Sequence, residues 1–191
     1  MSFHFDLFSK GYDQFLGSVL GPPDIPYWRA VLRLPVKGRL LDAGGGTGRI
    51  SAALCPDVGQ VVIVDHSQGM LRQARKKGNL ELVCADVARL PFVDVSFERA
   101  LIIDALHHFR RQKEGIAEVA RVLAPGGMLV IEEFDIRRWG TRAIALLEKI
   151  VLMGSRFPSP EEIQHMLREE GLSLLEIRKG KWNSLLFIAE K

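Results

Sequence analysis

The chain of 191 residues has only two cysteines, Cys55 and Cys84, and neither belongs to a Cys-x-x-Cys pair. A zinc ribbon or a dithiol redox centre therefore lacks its ligands, and no metal site is expected. Long apolar runs are also missing. The best candidate, Ala143 to Met153, is broken by Glu148 and Lys149, and a membrane span needs roughly 18 uninterrupted apolar residues. The start is aromatic and carries Asp6, unlike the basic-then-apolar pattern of a secretory signal, so the expected location is the cytoplasm. A strong charge of one sign is absent, since the net charge is +3. Basic residues gather only at Arg72, Arg75, Lys76 and Lys77 and at Arg137 and Arg138. That permits a nucleic-acid partner without arguing for one.

What remains is an ordinary soluble composition, with apolar residues at 47% and charged residues at 26%. The length suits one domain over residues 1–191. Residues 1–35 stand apart: an aromatic-rich segment, the break Gly21-Pro22-Pro23, and a helical stretch around Trp28 to Leu34. They read as a helical cap on a core of residues 36–191.

The core alternates strand and helix. Arg39 to Asp42 is expected to be the first strand and Thr47 to Leu54 the first helix. Val61 to Val64, continuous and β-branched, reads as a buried strand. Ser67 should cap a helix that ends at Gly78. Leu80 to Cys84 and Glu98 to Ile103 are further strands. A helix from Gln112 to Leu123 would place Ile116, Val119, Ala120 and Leu123 on one face. Pro125-Gly126-Gly127 predicts a turn before a strand over Met128 to Glu132. A helix follows over Thr141 to Leu152, then a capping box at Ser159-Pro160-Glu161-Glu162 and a helix ending at Gly171. The last two strands, Leu172 to Arg178 and Leu185 to Glu190, are separated only by Lys179 to Ser184. Parallel neighbours need a crossover of about a dozen residues, so one of the two must run antiparallel. The expected class is α/β, a three-layer sandwich with a mostly parallel sheet and helices on both faces.

Asp42 to Gly48 joins the first strand to the first helix and reads Asp-Ala-Gly-Gly-Gly-Thr-Gly. Glycine suits a sharp turn that must touch a ligand, and a helix start offers free amides to an anion. A dinucleotide site wants Gly-x-Gly-x-x-Gly, yet counting from Gly44 the third glycine falls on Arg49, and from Gly46 on Ser51. No Gly-Lys-Ser/Thr closes a phosphate loop either. Asp-x-Gly-x-Gly-x-Gly remains. Its acid suits an ammonium group and the helix end a carboxylate, so an amino-acid moiety satisfies both. Asp42, Ala43, Gly44, Gly46 and Gly48 are the candidate contacts. Three further acids follow successive strands. Asp65 could accept from a ribose diol, with His66 beside it. Asp86 could accept from an adenine amino group while the Val87 amide meets a ring nitrogen. Asp104 follows Ile103 at the end of the fourth strand. All lie at the carboxyl edge where open α/β sheets bind ligands.

These segments, together with Ala105-Leu106-His107-His108-Phe109 and Arg121-Val122-Leu123-Ala124-Pro125-Gly126-Gly127, resemble the class I S-adenosylmethionine-dependent methyltransferases. The likeness is strongest over residues 38–134 and to the small-molecule branch that includes the ubiquinone and menaquinone C-methyltransferases. The resemblance implies a Rossmann-like fold with a seven-stranded sheet and one antiparallel strand near the C-terminus. It implies S-adenosyl-L-methionine as cofactor and S-adenosyl-L-homocysteine as product. Gly44 and Gly46 would line the methionine part, Asp65 the ribose and Met70 the adenine. Asp86 and Val87 would read the adenine edge, and the Ile103 backbone would hold the ammonium. The segment Phe5 to Asp13 is similar to one that closes over the cofactor, which would bring Tyr12 near the methyl group.

For the transfer itself, His107 and His108 are the candidate bases, since imidazole titrates near neutrality; helix capping and loop anchoring are the competing role for the pair. His4 and His165 have no motif around them. The segment after the fourth strand is not Asn/Asp-Pro-Pro-aromatic, which disfavours amino methylation of nucleobases. No Pro-Cys pair supplies a nucleophile for cytosine C5 methylation. Phe8, Tyr12 and Phe15 with Phe134, Trp139, Met153 and Phe157 could wall a small, partly apolar acceptor, methylated on carbon or oxygen. The alternatives are an RNA or protein acceptor and a cofactor-binding subunit without catalysis.

Overall fold

The structure is a computed structural model that describes Asp13 and residues 21–134, 156–180 and 183–191. Its centre is a sheet of seven strands: β1 (Arg39–Ala43), β2 (Gln60–Asp65), β3 (Glu81–Cys84), β4 (Phe97–Ile103), β5 (Leu123–Phe134), β6 (Ser173–Lys179) and β7 (Ser184–Glu190). Their order across the sheet is β3-β2-β1-β4-β5-β7-β6. β1 to β5 pair in parallel, while β7 runs antiparallel to both β5 and β6. The short link before Ser184 explains this. The Gly180 amide bonds back to the Ser184 carbonyl at 3.0 Å and closes a tight hairpin. The required antiparallel strand is thus β7, inserted between β5 and β6.

Strands β2 and β5 have continuous apolar centres because both sheet faces are covered there. Val61 to Val64 and Leu129 to Ile131 are all buried. One face packs on α3 (Gln112–Val122) and α4 (Pro160–Glu169) through Ile116, Val119, Ile163 and Leu167. The other packs on α1 (Ile25–Val31) and α2 (Gln68–Ala74) through Trp28, Val31, Leu71 and Ala74. This is the expected three-layer sandwich. α4 starts at the capping box, with the Ser159 hydroxyl and the Glu162 carboxylate each bonded to the other residue's amide.

Several boundaries differ from expectation. α1 begins three residues before Trp28, because Asp24 caps it and Pro26 suits its first turn. The expected helix over Thr47 to Leu54 is a 3₁₀ segment over Ser51–Asp57. Gly46 and Gly48 take φ of +55° and +67°, which an α-helix forbids, and Pro56 removes an amide near its end. β5 begins at Leu123 rather than Met128. Pro125-Gly126-Gly127 bulges between the Phe97–Leu123 and Arg99–Met128 pairs, and its amide and carbonyl groups bond the chain end at Lys191. The helix expected over Thr141 to Leu152 lies outside the described residues.

The sheet order reverses between β1 and β4. The crevice beyond the carboxyl ends of these two strands is where an open α/β sheet can receive a ligand. Gly44 opens that crevice from one side and Asp104 from the other.

Candidate active site

The turn after β1 holds three left-handed glycines, Gly44, Gly46 and Gly48. Their amides are largely spent inside the protein. Gly44 and Gly45 donate to the Val64 carbonyl, Gly48 donates to Gly45, and Gly46 donates to Asp65 Oδ2 at 2.9 Å. With a 3₁₀ segment starting only at Ser51, the turn does not present a helix N-terminus to an anion, contrary to expectation. It presents bare Cα atoms. Among the described residues, a Cβ on Gly46 would meet nothing nearer than Asp65 Oδ2 at 3.9 Å, so these residues leave the space above it open. A Cβ on Gly48 would strike Ile63 Cδ1 at 2.6 Å, and one on Gly44 would strike Ala105 Cβ at 2.8 Å and the Phe109 ring at 3.0 Å.

The open space is a cavity of about 170 Å³. Of the candidate residues, Gly44, Gly46, Asp65, His66, Met70, Asp86, Val87 and His108 line it. Asp65 is fixed by two amides, Gly46 on Oδ2 and Ser67 on Oδ1 at 2.7 Å. These two bonds set the Asp65 carboxylate in the cavity wall. Ser67 caps α2 by accepting from the Met70 amide, which sets Met70 in the wall. Asp86 accepts from the Ala88 amide at 2.9 Å and from Arg111 at 2.9 Å. Burial pushes its pKa up, but these two donors outweigh that and hold it below the usual carboxylate range.

Ala43 and Gly48 are buried behind the turn, and Ile103 faces a neighbouring cavity. Asp42 is buried at 4% exposure, with its carboxyl pressed against Gly45. It braces the turn from beneath, and does not line the cavity as an ammonium partner would. Burial, and then the Asp65 charge, push its pKa up to about 6 despite the Ser51 hydroxyl. The folded state therefore holds this proton more tightly than the unfolded chain, whose value is 3.8. The favourable contribution is present below about pH 4 and is lost as pH rises through about 6. Asp42→Asn should remove that dependence. The expected gain at pH 7.5 is on the order of 3 kcal/mol, from about two pKa units, with little gain at pH 4. Thermal melts of both proteins across pH 4–8 check this.

The two histidines separate. His107 is buried. Its Nδ1 lies 2.8 Å from Glu133 Oε2, its ring stacks on Phe157 at 4.3 Å between centroids, and its carbonyl accepts from the Arg156 amide. It lines neither cavity. Burial, and then the neighbouring His107, push His108 down to about 2. Both effects disfavour its protonated form.

Residues not singled out as ligand contacts also line the cavity: Ser67, Ala85, Ala105, Phe109 and Arg110, with Asp104 at its edge. Phe109 had a readable signal in Gly115, a glycine inside α3. A Cβ there would meet the Phe109 ring at 2.9 Å, so the ring is seated between two glycines. A second cavity of about 310 Å³ adjoins the first, with Asp24, Tyr27, Trp28, Arg49, Glu132 and Phe134 in its wall. Asp104 is the one described residue common to both linings. Tyr12, Phe8, Phe15, Trp139 and Met153 lie outside the described residues. Asp13 does not. It accepts from the Thr47 hydroxyl at 2.5 Å and pairs with Lys77, which fastens Asp13 to the glycine turn.

The family profile of the methyltransferase domain matches residues 41–131. The demethylmenaquinone methyltransferase of Clavibacter sepedonicus is 38% identical over 69% of this chain and 56% of its own length. The ubiquinone/menaquinone biosynthesis C-methyltransferase of Pseudomonas entomophila is 39% identical over 51% of this chain and 42% of its own length. The chain thus spans about half the length of the curated relatives it matches. In fold, an S-adenosylmethionine-dependent methyltransferase of Thermotoga maritima covers the whole chain, and is itself wholly covered, with a TM-score of 0.79 at 21% identity. With the glycine turn, the acids after β2 and β3 and the antiparallel β7 all in place, residues 41–131 match the methyltransferase-domain family and are similar to the ubiquinone and menaquinone C-methyltransferases.

Proposed function

We propose that this chain transfers the methyl group of S-adenosyl-L-methionine to carbon or oxygen of a small, partly apolar acceptor. One observation carries the reading. Gly44, Gly46, Asp65, Met70, Asp86 and Val87, from three separate strand ends, surround a single cavity at the reversal of strand order. S-adenosyl-L-methionine supplies a methyl group on a sulfonium, an electrophile with a neutral leaving group. The bare Gly46 leaves room for its amino-acid arm. The Asp65 carboxylate in the cavity wall suits the ribose diol, and Asp86 with the Val87 amide suits the adenine edge beside Met70. Rate then comes mainly from alignment, worth roughly 7–11 kcal/mol.

The acceptor belongs in the second cavity, whose aromatic members Tyr27, Trp28 and Phe134 suit a ring. The curated relatives are named for demethylmenaquinone and for ubiquinone and menaquinone synthesis, so a hydroxylated aromatic of that kind is the acceptor we favour. We assign His107 a structural role, and neither histidine a role as base. Residues 1–35 act as a cap on a core of residues 36–191, with Asp13 as the fastening on the glycine turn. A cytoplasmic setting is supported by two free cysteines. No described helix is long and apolar enough to cross a membrane.

Isothermal titration with S-adenosylmethionine and S-adenosylhomocysteine tests the reading. The wild type should bind both. Asp65→Ala should weaken both by about 100-fold, as two charged hydrogen bonds at about 1.5 kcal/mol each are lost. Failure of the wild type to bind either ligand would overturn the proposal.

A further inference from the structure

In-line methyl transfer can occur only where the donor's methyl group and the acceptor's nucleophile meet. In this chain that place is the boundary between the two cavities, and Asp104 is the one described residue in both walls. It is half-buried, immediately after β4, and its amide is pinned to the Glu132 carbonyl at 2.9 Å. Its backbone sits at φ +53°, a left-handed conformation that costs most side chains energy and that Asp and Asn tolerate best.

Several other titratable groups nearby are engaged within the protein. His107 lies against Glu133 and Phe157, outside both cavities. Burial disfavours the protonated form of His108. Glu133 bonds His107, and Glu132 Oε1 accepts from the Ser184 hydroxyl at 2.6 Å. Asp24 caps α1.

Building on the methyltransferase reading, we propose that the Asp104 carboxylate is a catalytic residue that faces the sulfonium and takes the proton of a protic acceptor. The acceptor class follows: a molecule whose nucleophilic centre carries, or is conjugated to, an O–H or N–H. As the acceptor gains the methyl carbon, its O–H or N–H proton passes to Asp104. The electron pair of the broken carbon–sulfur bond stays on sulfur, leaving S-adenosylhomocysteine. When the acceptor is methylated on a ring carbon, the hydroxyl proton goes to Asp104 first, and the ring proton is lost to solvent as aromaticity returns. A carboxylate at this place also prefers the cationic donor to the neutral product, because opposite charges a few ångströms apart attract strongly at low effective dielectric.

Asp104→Asn is the right variant, since Asn accepts the left-handed backbone and keeps the shape while removing the charge. Titration should show S-adenosylhomocysteine affinity within about twofold of wild type, and S-adenosylmethionine affinity lowered by about tenfold or more. That change in ratio needs no acceptor. With 1,4-dihydroxynaphthalene as probe, kcat should fall by about 100-fold or more, and Asp104→Glu should restore part of it. An unchanged affinity ratio overturns the proposal, as does wild-type turnover by Asp104→Asn on this probe. A wild type that binds neither ligand would instead strike the methyltransferase reading on which the proposal stands. A wild type that binds both but leaves the naphthalenediol untouched still submits Asp104 to the affinity ratio.

Discussion

His107→Ala is expected to cost about 3–4 kcal/mol of stability and to lower the melting temperature by roughly 8–15 °C for a chain of this size. The sum has three sources. Removing the ring leaves a void beside Phe157, and large-to-small changes in a core cost about 2–5 kcal/mol. The Glu133 carboxyl, 2% exposed, loses the ring nitrogen at 2.8 Å, and a buried polar atom left without that bond costs about 1–3 kcal/mol. The stacked contact between the two rings is lost as well. The two larger effects overlap, because a cavity beside a carboxyl can admit water. His107→Asn should recover part of the loss, since its side-chain amide can donate to Glu133 from about the position of Nδ1. The measurement is paired: thermal melts, and methyl transfer at a temperature where the variant is folded. A structural His107 predicts lowered melting with kcat within a few fold of wild type and an unmoved pH profile. A melting temperature near wild type with a large fall in kcat would return His107 to the role of base.

The histidine pair shows where sequence reading stops. Adjacent His107 and His108 look equivalent in a string, and both are placed correctly after β4. Their difference arises from Glu133, which lies 26 positions further along the chain. No local spacing announces that β5 will bring a carboxyl beneath one ring, while the other turns to the cofactor cavity. The sheet was far more legible. Val61 to Val64 and Leu129 to Ile131 are unbroken apolar runs, and a run of that kind fits only a strand covered on both faces. The length of the link before Ser184 settled the antiparallel strand by itself. Asp65 and Asp86 were legible because each follows a recognisable strand directly. The 3₁₀ segment at Ser51–Asp57 was not, because apolar periodicity is similar for one turn of either helix type, and the left-handed glycines that displace it precede the segment they disturb. Asp42 was open to two readings for a related reason. Its position at a strand end is common to ligand acids and to braces, and only burial distinguishes them. Phe109 depended on two glycines 71 positions apart, Gly44 and Gly115, that become neighbours only in the folded chain.

The glycine turn itself yields the other large effect, which separates shape from stability. Gly46→Ala places a methyl group in open space, with Asp65 Oδ2 at 3.9 Å as its nearest neighbour. No described residue resists that atom, so the stability cost expected is that of the left-handed backbone, about 1–2 kcal/mol at φ +55°. The space it enters is the one proposed for the cofactor's amino-acid arm. Binding of both S-adenosylmethionine and S-adenosylhomocysteine should therefore fall by 100-fold or more, as expected when a ligand must shift off its polar partners. Gly48→Ala is the complement. It carries the same backbone penalty at φ +67°, and its methyl group would overlap Ile63 Cδ1 at 2.6 Å in the core behind the turn. Overpacking adds about 1–3 kcal/mol, so Gly48→Ala should melt lower than Gly46→Ala and, where still folded, bind the cofactor better. Melting curves and titrations of the two variants side by side decide the matter. If Gly46→Ala binds like wild type, the cofactor does not pass over this turn. If the two variants fall together in affinity and in stability, the glycines act only on the backbone, and the open face above Gly46 has no part in binding.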